Sequence, residues 1–141
     1  MECESTIKFD TQSLEVCTGL EKAFKKLDGT SPDTWGDKDS RVSEFSELTK
    51  NLNVSLDVEA ICNHLSELDT GVTHTSIDGT HLSIDIFPRD FPEEFCEYLF
   101  PILAQNDFTE ISCYSESEYG SQELQFRNGE IEKEEDFFEE D

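Results

Sequence analysis

The sequence has few basic residues, and this shortage excludes several classes of function. Ten Lys and Arg stand against 34 Asp and Glu, which gives a formal net charge of −24 over 141 residues. Direct binding to nucleic acid requires Lys and Arg contacts to phosphates, and attraction to anionic membranes requires basic clusters. We therefore expect neither a direct nucleic-acid partner nor a membrane partner.

Several signatures of catalysis and metal binding are also missing. The sequence contains no CxxC or HExxH motif and no glycine-rich phosphate loop, which are common signatures of zinc and nucleotide sites. A calcium-loop alignment that starts at Asp33 places Lys38 where the turn requires glycine. We therefore expect no cofactor, no metal and no catalytic residue.

Targeting signals are missing as well. No apolar run approaches the length of a membrane span, and the N-terminus lacks the basic and apolar regions of a secretory signal. The five cysteines, an odd number with irregular spacing, are Cys3, Cys17, Cys62, Cys96 and Cys113. This pattern indicates a cytoplasmic protein with reduced, buried thiols that serve packing.

The first 70 residues show the apolar spacing of helices. Ser13 is expected to cap a first helix, and a third helix is expected to begin at Ser55. The residues predicted to face inward are Leu14, Cys17, Leu20, Phe24 and Leu27 in the first helix, Val42, Phe45, Leu48 and Leu52 in the second, and Val58, Ile61, Leu65 and Leu68 in the third.

After Val72 the apolar period changes to two, which is typical of strands. Asp78-Gly79 and Asn128-Gly129 are the dipeptides that two-residue hairpin turns prefer. Closing the hairpins there pairs Ile77 with Thr80, and Arg127 with Glu130. The first hairpin then has an apolar face that includes Thr73 and Thr75, and a polar face that includes His74 and His81.

Between the two hairpins lies a segment with helical spacing. Pro92 suits its first turn, and Pro101 should kink or end it. The sequence therefore predicts an α+β fold, in which N-terminal helices precede a β-β-α-β-β-β module and an antiparallel sheet packs on helices. We expect one domain over residues 1–134, with a helical part (1–70) and a sheet part (71–134), and an acidic C-terminal tail (135–141).

The outer face of the last hairpin carries the most informative pattern. Residues 90–141 hold 17 acidic residues against Arg127 and Lys133. With Leu124, Phe126 and Ile131 inward, the outward residues are Glu123, Gln125, Arg127, Glu130, Glu132 and Glu134. The carboxylates repeat every two residues, about 6.6–6.8 Å, a spacing comparable with that of successive nucleic-acid phosphates. Two interpretations remain, a solvated edge that prevents aggregation and a partner-binding surface.

The tail adds Glu135, Asp136 and two adjacent aromatic residues, Phe137 and Phe138. A purely solvating tail has no use for aromatic side chains. The pair either docks on the domain's own core, which we favour, or anchors a partner that has an apolar pocket.

An enzyme or metal protein is the alternative class. In the predicted register His74 and His81 are diagonal neighbours, close enough in principle to share a metal ion with nearby acids. A third alternative is an adaptor whose acidity serves only solubility.

In charge, size and mixed α+β plan, the chain resembles the small acidic inhibitors known as toxin-immunity proteins and phage DNA mimics, some of them anti-restriction proteins. The resemblance implies inhibition through protein–protein interaction, with a basic partner such as a nucleic-acid-handling enzyme or a nuclease toxin. The predicted contact residues are Glu123, Glu130, Glu132, Glu134, Glu135, Asp136, Phe137 and Phe138.

Overall fold

Four α-helices and six strands make up the computed structural model, which describes residues 3–138. The helices are α1 (Leu14–Lys25), α2 (Lys38–Asn51), α3 (Val58–Glu67) and α4 (Glu93–Gln105), with a short 3₁₀ turn at Pro32–Thr34. The strands are β1 (Glu4–Asp10), β2 (Val72–Asp78), β3 (His81–Ile86), β4 (Thr109–Ser117), β5 (Gly120–Arg127) and β6 (Glu130–Phe137). The predicted α+β class is confirmed.

All six strands form one antiparallel sheet in the order β2-β3-β1-β4-β5-β6. β1 was not predicted, because we interpreted the whole of residues 1–70 as helical. It lies between β3 and β4 near the middle of the sheet, with Ile7 and Phe9 buried. The predicted helical part therefore also contains the strand that joins the two halves of the sheet.

The helices cover one face of the sheet. α1 packs against β2 and β3, and α4 packs against β4 and β5. Phe9 of β1 stacks on Phe108 with ring centroids 5.2 Å apart, and within the helix layer Phe24 of α1 meets Phe45 of α2 edge-on at the same distance. Large aromatic side chains thus supply the apolar area that a chain with 35% hydrophobic residues needs for folding.

The helix boundaries follow local capping chemistry. The hydroxyl of Ser13 accepts a hydrogen bond from the N–H of Val16, as predicted for the start of α1. The expected start of α3 at Ser55 was wrong, because Asp57 caps this helix by accepting from the N–H of Ala60. α4 continues through Pro101 to Gln105, so of the two outcomes expected at this proline, a kink or an end of the helix, the end does not occur.

The two hairpins differ in how well their register was predicted. The Asn128-Gly129 turn pairs Arg127 with Glu130 as expected, and both turn residues have positive φ (54° and 79°), as a type I′ turn requires. At the first turn Asp78 pairs with His81 instead, with Gly79 (φ 63°) as the first central residue. A single positive φ at that position is typical of a type II′ turn.

The register of the first hairpin is therefore displaced by two residues from the prediction. Because side chains alternate with a period of two, this displacement leaves nearly all predicted faces unchanged. Thr73 is an exception: the ladder is irregular between Val72 and His74, and Thr73 is exposed.

The final strand is longer than predicted. β6 continues to Phe137, so the predicted boundary between domain and tail at residue 134 falls inside a strand. Pairing with β5 holds these residues in the sheet, with Gln122 opposite Glu135 and Gly120 opposite Phe137. Residues 139–141 of the predicted tail lie outside the described residues.

Candidate interaction surface

The face of the sheet that points away from the helices is polar, and its residues are half-buried or exposed. We call it the open face. It carries two Lys or Arg residues, Lys8 and Arg127, and two histidines, His74 and His81. Its acidic residues, placed by the pairing registers and, for Glu110, by its proximity to Asp10 and His81, are Glu4, Asp10, Asp78, Asp85, Glu110, Glu116, Glu123, Glu130, Glu132, Glu134 and Asp136.

Five of the predicted contact residues lie together on this face. Glu130, Glu132, Glu134 and Asp136 alternate along β6, and Glu123 of β5 lies directly opposite Glu134. We call these five residues the acidic ladder. The structure thus confirms the predicted outward face of the last hairpin and extends it by Asp136.

Like charges oppose one another in two places on the open face. Glu123 is paired with Glu134 across β5 and β6, and Glu4 is paired with Glu116 across β1 and β4. Directly opposed like charges destabilise an antiparallel sheet. Opposite charges at these positions would stabilise the sheet, so both like-charged pairs lower the stability of the folded chain.

The ladder has little neutralisation from its own chain. Arg127 Nη1 lies 3.6 Å from Glu132 Oε2, and both side chains are about 60% exposed. The amide of Gln125 donates a hydrogen bond to Glu123 at 2.6 Å. The first contact is an exposed ion pair and the second involves a neutral amide, so most of the negative charge of the ladder is exposed to solvent without a neutralising partner in the described residues.

Glu135 is separated from the acidic ladder. It lies on the helix side of β6, where Gln122 donates to its carboxylate at 3.0 Å and Lys133 Nζ lies 3.4 Å away. Lys133 also pairs with Glu93 of α4 at 3.2 Å. The hydrogen bond from Gln122 lowers the pKa of Glu135, and the bond to Glu93 raises the pKa of Lys133. Glu135 therefore helps to tie β6 to α4.

The two terminal phenylalanines do not enter the core. Phe137 is 60% exposed and Phe138 is 50% exposed, and the backbone N–H of Phe138 donates to the carbonyl of Tyr119. Tyr119, in the β4–β5 turn, is itself 47% exposed. The docking that we favoured is wrong. Phe137, Phe138 and Tyr119 instead form an exposed group, which we call the aromatic end of the last hairpin.

Sequence reasoning missed Tyr114 on the open face. It lies in β4 between Thr6 of β1 and Glu123 of β5, and it is 46% exposed. The alternation of Glu110, Ser112, Tyr114 and Glu116 along β4 was the available signal. Tyrosine is one of the residues enriched at the hot spots of protein interfaces.

The histidines are arranged differently from the prediction. His74 pairs with Asp85, and His81 pairs with Asp78 on one side and Asp10 on the other. The two-residue displacement of the hairpin places His74 and His81 four positions apart along the ladder, about 13 Å. They are not diagonal neighbours, so the suggested shared metal ion is excluded.

The five cysteines are free thiols, and all are buried. Burial raises the pKa of Cys3, Cys17 and Cys62, which disfavours the nucleophilic thiolate. Their surroundings are those of packing residues.

No family model, curated protein or solved structure matches this chain. Within residues 3–138, none of the helices has both the length and the apolar character needed to cross a membrane. The open face and the aromatic end remain the features that bear on function.

Proposed function

We propose that this chain is an acidic inhibitor that binds a basic protein through the open face of its sheet. The partner is a nucleic-acid-handling enzyme or a nuclease toxin, and the acidic ladder occupies the groove that otherwise holds phosphates. This is inhibition of the DNA-mimic, anti-restriction or toxin-immunity kind, and this chain catalyses no reaction in it. We expect the protein to act in the cytoplasm.

The pair Glu123–Glu134 is the observation that carries the proposal. The two carboxylates are directly opposed on an uncovered face, which costs stability in the free chain. A basic partner would remove this cost, because its cations would lie between or above the carboxylates. The same cost has no benefit for a face that only needs to be solvated, since alternating signs would serve solubility equally well.

The open face alone approaches the size of a standard interface. Six strands about 4.8 Å apart span about 24 Å, and the seven residues of β1 span a similar length, so the projected area is about 580 Å². A standard interface buries about 800 Å² on each partner. The aromatic end lies at one end of the same two strands, with Phe137 on the helix side of β6 like Glu135, so a partner that reaches around this end of the sheet would gain further area and the apolar contacts that exposed carboxylates cannot supply.

The charges and the aromatic residues should have separable effects on binding. An exposed ion pair contributes only about 0.2–1 kcal/mol, but a surface of one sign speeds association through long-range steering. Desolvated aromatic residues act mainly on dissociation, because their contacts form after the encounter.

The first experiment captures partners from a native lysate on the immobilised chain and identifies them by mass spectrometry. The test variant replaces Glu123, Glu130, Glu132 and Glu134 with Gln. The matched control replaces four exposed helical acids, Glu15, Glu47, Glu67 and Glu97, with Gln, which changes the net charge equally. We expect the parent and the control to capture a basic nucleic-acid-binding protein that the ladder variant loses.

Binding kinetics with the captured protein then test the mode of binding. At low salt the ladder variant should associate about tenfold more slowly or worse, and duplex DNA should compete with the parent for the same site. Equal binding by the ladder variant and its control, or a lack of competition by DNA, would contradict the proposal.

The aromatic end needs its own variant. Replacing Phe137 and Phe138 with Ala should speed dissociation by about 30-fold if the pair contributes about 2 kcal/mol as a hot spot. Phe87→Ala is the control, because Phe87 is 50% exposed and lies outside β5 and β6. Unchanged dissociation would show that the contact is limited to the open face.

A further inference from the structure

A second feature of the open face lies away from the acidic ladder. Asp10 of β1, His81 of β3 and Glu110 of β4 come from three neighbouring strands, and one ligand atom from each lies within 4.8 Å of the other two. His81 Nδ1 is 3.6 Å from Glu110 Oε2. We infer that these three side chains form a binding site for a divalent transition-metal ion such as Zn²⁺.

The sheet itself brings the three residues together. Asp10 is paired directly with His81 across β1 and β3. On the other side of β1, the register with β4 shifts between Lys8 and Asp10, so that Asp10 lies opposite Thr109 and next to Glu110. Such a shift re-aims side chains at the end of a ladder. The cluster therefore rests on the central strands of the sheet and not on loops.

The donor atoms match the preferences of zinc-like ions. Zinc binds imidazole nitrogen at about 2.0–2.1 Å and carboxylate oxygen at about 2.0–2.2 Å, so tetrahedral donors lie about 3.4 Å apart. The 3.6 Å between His81 and Glu110 is already close to that value, and small rotations of these two exposed side chains would bring them closer to the half-buried Asp10. Three protein ligands leave the fourth position to water, as in open zinc sites.

The surrounding charges favour a cation at this point. Asp78 lies opposite His81 on β2 and adds a third carboxylate beside the cluster. The N–H of Gln12 donates to Asp10 Oδ1 at 2.9 Å and helps to fix the position of this carboxylate. Lys8 lies two residues before Asp10 on the same face of β1, and it is the one positive charge of this strand that would repel a metal ion.

The imidazole distinguishes this cluster from the acidic residues elsewhere on the face. Calcium and magnesium prefer sites made of oxygen ligands, whereas imidazole favours zinc, copper and nickel. A diffuse acidic surface attracts all divalent ions weakly. The proposed site should instead bind Zn²⁺ at one position and with His81 as a ligand. This inference does not depend on the proposed partner.

The experiment titrates the reduced 141-residue chain with Zn²⁺ and follows the histidine side chains by NMR, with calorimetry for affinity. We expect one saturable site, with shifts of the His81 ring resonances and little change at His74. His81→Gln should weaken Zn²⁺ binding at least tenfold, and Glu110→Gln should weaken it as well. His74→Gln is the matched control, because His74 lies on the same face outside the cluster, and it should bind like the parent.

Calcium provides the second control. Titration with Ca²⁺ should leave the His81 resonances in place, and a melting curve of each variant will show that its fold is intact. Equal Zn²⁺ affinity of His81→Gln and the parent, a shift of His74 as large as that of His81, or the lack of any saturable binding would overturn the inference.

Discussion

At the scale of single residues, Gly120 has less room for a side chain than Gly129, the other glycine of the last hairpin. A Cβ built on Gly120 would lie 2.4 Å from the carbonyl oxygen of Asp136 and 2.9 Å from Cα of Phe137. Both are backbone atoms of β6, which cannot move without disturbing the strand pairing. Gly120→Ala should therefore lower the free energy of unfolding by about 1–3 kcal/mol, as overpacking does.

Urea unfolding measures this change, and Gly36→Ala is its control. A Cβ on Gly36 would meet no heavy atom within 4 Å, so this substitution should be neutral or slightly stabilising. Equal stability of the two variants would show that β6 does not hold its close approach to Gly120 in solution.

The cysteines lead to a second prediction for single residues. Because all five thiols are buried, a thiol reagent such as Ellman's reagent should modify the native chain slowly, and all five should react at once in concentrated urea. Rapid modification of even one thiol in the folded protein, with the fold unchanged, would contradict the packing role.

The face of the sheet on which a side chain lies could be predicted wherever it depends only on the alternation of side chains along a strand. Glu123, Glu130, Glu132 and Glu134 were assigned correctly because the Asn128-Gly129 turn fixes their register. The role of Glu135 could not be predicted, because its contacts with Gln122 and Lys133 depend on β6 extending past residue 134. The exposure of Phe137 and Phe138 depends on the same extension.

At the scale of elements, the missed strand β1 shows what local patterns leave out. Ser5, Ile7 and Phe9 alternate and are all buried, so a period-two signal was present, but it contains only two large apolar residues. Its place between β3 and β4 is set by contacts with residues more than 70 positions away. The cluster of Asp10, His81 and Glu110 could not be predicted for this reason, since β1 is the strand that joins its members.

The opposed pair in the last hairpin yields the prediction at the scale of elements. Glu134→Gln removes the repulsion with Glu123, so it should raise the free energy of unfolding by roughly 0.2–1 kcal/mol. Glu97→Gln on α4 is the control, because it removes the same charge from an exposed position outside the sheet.

Urea unfolding of both variants at low salt is the measurement. The gain from Glu134→Gln should exceed that from Glu97→Gln. If the two gains are equal, the opposed pair does not lower the stability of the hairpin. The proposed function then loses the observation that supports it.

At the scale of the whole molecule, the net charge of −24 should dominate the response to salt. Repulsion among charges of one sign destabilises the compact state, and the screening length falls from about 30 Å at 0.01 M salt to about 10 Å at 0.1 M. The exposed ion pairs, such as Arg127–Glu132, are too weak to reverse this effect. The melting temperature should therefore rise with NaCl over this range.

The ladder variant, with four Glu replaced by Gln, separates general from local repulsion. Its melting temperature should rise less steeply with salt than that of the control with four helical replacements, because the ladder concentrates its charges on two adjacent strands. Both series are measured in a chelator, so that the proposed metal site does not contribute. Equal salt dependence of the melting temperature in the two variants would mean that the ladder residues repel one another no more than the helical acids do. A melting temperature of the parent that falls with salt would mean that ion pairs outweigh repulsion in this fold.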